Sequence, residues 1–160
     1  IGVPGSALRC DLVVGTDTDA DGLPDEYEAL LMYYYALAGR GAELADITAD
    51  DDFDGDGFTN LQEFRAGTIP VEAGDYLKFT RFAPAENGTF ALSFLAAPGR
   101  SYTVPKTVGM HTNAWGATAF RQTPEDASSR TFLSSEQDAF VTLYLLPGTN
   151  AAAFYRLEAH

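Results

Sequence analysis

Residues 17–28 read DTDADGLPDEYE, and residues 52–63 read DFDGDGFTNLQE. Each twelve-residue stretch has an oxygen-bearing side chain at positions 1, 3, 5, 9 and 12 and a glycine at position 6. Six of the 23 acidic side chains lie in 17–28 and six more in 50–63, so the formal charge of −13 is concentrated rather than spread over a solvated surface. Carboxylates packed this closely repel one another, and a turn that gathers them calls for a positive counter-charge.

Alternate side chains of a curled segment converge on one point, and a glutamate on the first turn of a following helix reaches back to close the ring. This is the pattern of an EF-hand-type calcium loop. It assigns Asp17, Asp19, Asp21, the carbonyl of Leu23, Asp25 and Glu28 to one ion. Asp52, Asp54, Asp56, the carbonyl of Phe58, Asn60 and Glu63 take the same places 35 residues later. The expected cofactor is therefore calcium, two ions per chain. Zinc is disfavoured, because neither loop contains cysteine or histidine.

The flanks differ from a helix-loop-helix hand. LRCDLVVGT before the first loop is β-branched and strand-like, whereas Tyr27, Leu30, Leu31, Tyr34 and Ala38 after it share a helical face. Pro24, at loop position 8, suits the first turn of a helix that runs to about Leu37 and stops at Gly39 and Gly41. Lacking an N–H, it also impairs the backbone bridge by which paired loops join at that position, which predicts weak coupling between them. Thr59, its counterpart, caps the second helix, with Gln62 completing a capping box.

With GLPDEYE in the first repeat and GFTNLQEF followed by AGT in the second, residues 17 to about 68 resemble the tandem calcium repeats of secreted bacterial proteins, related in loop chemistry to dockerins and thrombospondin type 3 repeats. The resemblance implies a secreted or cell-surface protein. It departs from that family in two ways. GRGAELADITAD between the repeats lacks further acidic loops, and neither helix carries the paired Ser/Thr positions with which dockerins grip cohesins.

Beyond AGTIPVEAGD the texture becomes short aromatic and β-branched runs at 76–82, 89–96, 101–107, 117–123, 139–146 and 152–159, separated by ENG, APGR, TPEDASS and LPGTN. Phe90, Leu92 and Phe94 share one face, Tyr102 and Val104 another, and with Trp115, Phe120 and Tyr155 they form the expected core. The fold class is α+β. An N-terminal extended strand (1–16) precedes a loop-helix calcium module with two EF-hand-type loops (17–70), and an antiparallel β-sandwich of immunoglobulin or fibronectin III-like type follows (75–160). LSFLAAPGRSYTV and the terminal FYRLE resemble the C-terminal β-modules that accompany such repeats.

The composition, 46% hydrophobic with 12% aromatic, fills a core. Ten basic residues without a basic run exclude nucleic acid and anionic membranes as partners, and ALLMYYYALAG at 29–39 is too short for membrane insertion. Cys10, the single cysteine, reads as a buried thiol. His111 and His160 read as surface residues, and carboxylates that coordinate a cation are poor general acids, so no enzyme is expected. Asn87, in the sequon NGT, reads as a turn residue.

The function expected is an extracellular calcium-binding structural or adhesive module whose partner is a protein or a second copy. Residues 5–16 alternate with one apolar face, the pattern of a strand that fills an open sheet edge within the chain or in the next copy of a filament. The alternative is a calcium-dependent carbohydrate-binding or dockerin-like anchoring module, with MYYYA (32–36) and Trp115 as the stacking aromatics. For those aromatics core packing is the favoured reading, with Tyr34 inward and Tyr33 or Tyr35 left exposed.

Overall fold

The structure, a computed structural model, describes residues 15–40, 43–109, 114–146 and 153–160. The N-terminal strand expected at 1–16 lies outside these residues except for Gly15 and Thr16, as do Cys10 and His111. The chain is α+β, with two helices and several antiparallel sheets, and divides into two compact units between Tyr76 and Leu77.

In the first unit, α1 spans Asp25–Leu37 and α2 spans Asn60–Ala66, with a single 3-10 turn at Leu44–Asp46. Pro24 stands one place before the first helical residue, as N-cap with ψ 143°, and its carbonyl accepts the Tyr27 and Glu28 N–H groups. Asp25, Glu26 and Glu28 in the first turn favour the positive end of the helix dipole. For α2 the expected capping box is formed: Thr59 Oγ1 accepts the Gln62 N–H and Gln62 Oε1 accepts the Thr59 N–H. Gly67 ends α2 in the left-handed region at φ 75°.

The buried face of α1 is not the expected one. Tyr27, Leu31 and Tyr35 are buried at i, i+4, i+8, whereas Leu30 and Tyr34 are half-buried and Ala38 is exposed. The reason is what lies beneath. Phe64 meets the ring of Tyr27 at 4.8 Å, Phe53 meets Tyr35 at 4.4 Å, and the Tyr35 hydroxyl donates to Asp51 Oδ2 at 3.3 Å. With Leu23, Ile47 and Ala49 these form the core of the unit.

In the second unit β1 (Arg81–Pro84), β2 (Phe90–Ala96), β7 (Ala139–Leu145) and β5 (Phe120–Arg121) form a four-stranded sheet in the order β1-β2-β7-β5. A second sheet has β3 (Arg100–Thr103) between β6 (Leu133–Ser135) and β9 (Glu158–Ala159), and β4 (Lys106–Thr107) pairs with β8 (Phe154–Tyr155). The register Leu92↔Leu143, Phe94↔Val141 puts apolar side chains of β2 and β7 on one face. There Leu92, Phe94, Phe120 and Leu143 share a core with Tyr102, Val104 and Leu133.

Several expectations shift in this unit. Of the run expected at 76–82 only Arg81 and Phe82 are in a strand, and Leu77 and Phe79 instead pack against the core. β6, between the runs expected at 117–123 and 139–146, pairs with β3. Phe90 is at the margin of the core, stacked on Phe82 at 5.5 Å, and the half-buried Trp115 lies under the Arg156 guanidinium at 4.4 Å. Asn87 adopts φ 56° between β1 and β2, the left-handed turn position that asparagine tolerates. Among the described residues no helix is long and apolar enough to cross a membrane.

Thr59→Ala removes the side-chain acceptor of the box and should cost about 1 kcal/mol in chemical denaturation. Phe94→Ala, at a fully buried position, should cost about 3–5 kcal/mol in the same measurement.

Candidate metal centre

Both acidic loops are held by carboxylate-to-amide bonds that their spacing makes possible. In the first, Asp17 Oδ2 accepts the Gly22 N–H (3.0 Å), Asp19 Oδ1 accepts that of Asp21 (3.3 Å), and Asp21 Oδ1 accepts that of Leu23 (2.8 Å). The second repeats this residue for residue. Asp52 Oδ2 accepts from Gly57 (2.9 Å), Asp54 Oδ1 from Asp56 (3.2 Å) and Asp56 Oδ1 from Phe58 (2.9 Å). Positions 4 and 6 lie in the left-handed region in both: Ala20 at φ 62° and Gly22 at φ 101°, Gly55 at φ 80° and Gly57 at φ 96°. An added Cβ at Gly55 or Gly57 meets nothing within 4 Å, so glycine is favoured there for its φ alone, and Ala20 holds the corresponding position 4 of the first loop.

The loops bring three aspartates together at each site. One oxygen from each of Asp17, Asp19 and Asp21 lies within 4.8 Å of the others, and Asp52, Asp54 and Asp56 do the same. Loop 2 is the more sheltered, with Asp54 Oδ2 and Asp56 Oδ2 buried and without a hydrogen-bond partner.

The glutamates at position 12 are the least solvated carboxylates of the two loops. Glu28 is 3% exposed and Glu63 1%. Burial first, then the charges of Asp19, Asp21, Asp25 and Asp17, push the Glu28 carboxyl up to about 7. Burial first, then Asp54, Asp56, Asp52 and Asp75, push Glu63 up to about 8, and burial followed by Asp56 raises Asp54. Both Glu63 oxygens are buried with no hydrogen-bond partner. An unpartnered buried carboxylate beside three aspartates is costly for a fold to hold, and a hard cation is what would satisfy it. The donors are all oxygens, which fits calcium or magnesium and not a thiolate- or imidazole-seeking metal.

The other expected ligands are placed less directly. Asp25 lies outside the three-aspartate group, its two oxygens accepting the Thr18 N–H (2.8 Å) and hydroxyl (2.7 Å). Their remaining lone pairs suit the water-mediated contact common at position 9. Asn60 is fully buried, its Nδ2 donating to Thr48 O (3.0 Å) while its Oδ1 has no partner. Leu23 and Phe58 give amides to the aspartates two residues earlier, and their positions are those of the expected carbonyl ligands.

Three supporting residues carry no signal in the sequence. Thr18 holds Asp25, and the Ala49 N–H donates to Asp21 Oδ2 at 2.7 Å. Arg40, just past α1, lies over the Phe53 ring at 4.8 Å and donates to the Phe53 carbonyl at 3.2 Å. Thr18 acts within its own loop, whereas Ala49 and Arg40 act across the fold, where no local spacing announces them.

The charge belongs to this unit: residues 1–76 carry 17 acidic and 3 basic side chains, residues 77–160 carry 6 and 7. No protein-family model matches the chain, and neither a curated protein nor a solved structure is significantly similar to it.

A glutamate whose carboxyl is raised on folding stabilises the native state below its unfolded pKa, and that contribution is lost as pH rises through the folded value. In metal-free protein the loss runs from about 4.5 to about 7 for Glu28 and to about 8 for Glu63. Calorimetric melting of chelator-treated protein should therefore give a lower Tm at pH 8 than at pH 5.5. Glu63→Gln, which removes one titrating proton, should flatten that slope.

Proposed function

We propose that the chain is an extracellular calcium-binding structural or adhesive module. Glu63 carries the reading: a carboxylate 1% exposed, with both oxygens unpartnered, at position 12 of a loop whose first, third and fifth residues converge. One calcium is held by Asp17, Asp19, Asp21, the Leu23 carbonyl, Asp25 and Glu28. The other is held by Asp52, Asp54, Asp56, the Phe58 carbonyl, Asn60 and Glu63. When bound, each ion neutralises the local repulsion and keeps the glutamates ionised. The carboxylates thus have a cation-holding role and no catalytic one.

The β-unit serves as an immunoglobulin or fibronectin III-like sandwich, a reading supported by the single core that draws on both larger sheets. Extracellular placement follows from the ion, since free calcium near 1 mM outside a cell fills sites of the micromolar class. The carbohydrate alternative is weaker, because Tyr35 belongs to the core and Arg156 covers a face of Trp115. A glycan array read with and without chelator separates the two.

Titration calorimetry should count two calcium ions per chain, and fewer than two overturns the reading. At free calcium 100-fold above Kd each ion should add about 2.7 kcal/mol to stability. Glu63→Gln should reduce the count to one. Assembly is tested separately: deleting residues 1–15 should abolish polymer by light scattering while leaving calcium binding intact, if the N-terminal strand is what one copy donates to the next.

A further inference from the structure

Ala49 stands three residues before the second loop and is gripped by both loops through opposite sides of its backbone. Its N–H donates to Asp21 Oδ2 of the first loop at 2.7 Å, and its carbonyl accepts the Leu61 N–H of the second at 3.1 Å. Neighbouring bonds stiffen the connection. Asn60 Nδ2 donates to Thr48 O at 3.0 Å, and the Asn60 N–H donates to Asp51 O at 2.7 Å. Leu23, Ile47, Ala49 and Phe64 are buried in one cluster with Leu61 packed against it. A Cβ at Gly22 would come within 3.3 Å of Leu61 Cδ1, so the loops also approach each other directly.

The position where paired loops ordinarily join is used otherwise. The Pro24 carbonyl starts α1, and the Thr59 N–H is taken by Gln62. Proline at position 8 thus argues against one connection and is silent about another that runs through Asp21 and Ala49.

We infer that the two loops fill cooperatively, with Asp21 transmitting occupancy of the first to the second; this rests on the cation-binding reading above. Asp21 has two roles at once. One is as a ligand in loop 1, and the other is as acceptor for Ala49. Without a cation, repulsion from Asp17, Asp19 and Glu28 works against the position in which Asp21 receives that N–H. A cation draws the carboxylates in and fixes Asp21, which fixes Ala49, and the Ala49 carbonyl then orients Leu61, with Asn60 and Glu63 on the same helical turn. Coupling of this kind is reciprocal, so filling the second loop tightens the first by the same factor.

The test is calcium titration of the full chain against a competing chelator. The expected result is two ions, the second bound at least about 5-fold more tightly than independent sites allow. Glu28→Gln should weaken the second loop by the same factor by which Glu63→Gln weakens the first. Replacing the Thr48–Ala49 amide by an ester, with lactic acid at 49, deletes the N–H and also weakens the Thr48 carbonyl as acceptor for Asn60 Nδ2; both ions should still bind and the coupling should vanish. A readout in Glu63→Gln protein covers the case in which the ester fails to fold: filling the first loop alone should slow hydrogen exchange of the Ala49 and Leu61 amides. Two independent ions, coupling that survives the ester, or unchanged exchange at both amides overturns the inference and leaves calcium binding standing. Absence of any bound calcium overturns both.

Discussion

Carboxylate crowding around a buried glutamate is the constraint to which the first unit is built. Glu63 is enclosed beside Asp52, Asp54 and Asp56, and Glu28 beside Asp17, Asp19 and Asp21. In water such groups would move apart. They are held together because each aspartate also accepts a backbone N–H of its own loop, so the curl that satisfies those amides is the curl that aims the charges inward. The loop is therefore folded by local hydrogen bonds and opposed by local electrostatics. The proposed cation removes the opposing term.

The helices convert this local geometry into a packed unit. A left-handed residue at positions 4 and 6 turns each loop tightly enough that position 8 falls at a helix N-terminus, where Pro24 and Thr59 stand. From there Tyr27, Leu31 and Tyr35 descend one face of α1 to Phe64 and Phe53, residues that belong to or adjoin the second loop. Each glutamate at position 12 is next in sequence to one of these aromatics, Glu28 after Tyr27 and Glu63 before Phe64, and is buried as they are.

The second unit obeys different physics. Its acidic and basic side chains nearly balance, and its organisation rests on the seven-residue pairing of β2 with β7. That register fixes which side chains meet Tyr102 and Leu133 of the three-stranded sheet and Val104 just past the end of β3. Tyr102 is fully buried, and its hydroxyl accepts the Ala97 N–H at 2.7 Å, so a polar tip enters the core without an unmet bond.

Sequence alone determined what depends on near neighbours. The repeated loops, the glycines at position 6, the capping box at Thr59 and Gln62, the end of α1 at Leu37 and the alternation of Leu92 and Phe94 are all set by residues a few positions apart, and the structure has each of them. What depends on distant partners was not legible. Tyr35 rather than Tyr34 is buried because Phe53 and Asp51 wait beneath it; β6 is a strand because β3 offers it a ladder; Phe90 is pushed to the margin because Leu92, Phe94 and Ala96 fill the centre. The bond from Ala49 to Asp21 spans 28 residues and joins a backbone donor, which every non-proline residue possesses, to a carboxylate that already has a local explanation. Only the tertiary structure could select it, because the energy that does so comes from burying Leu23, Ile47 and Phe64 together, and not from any pattern within either loop.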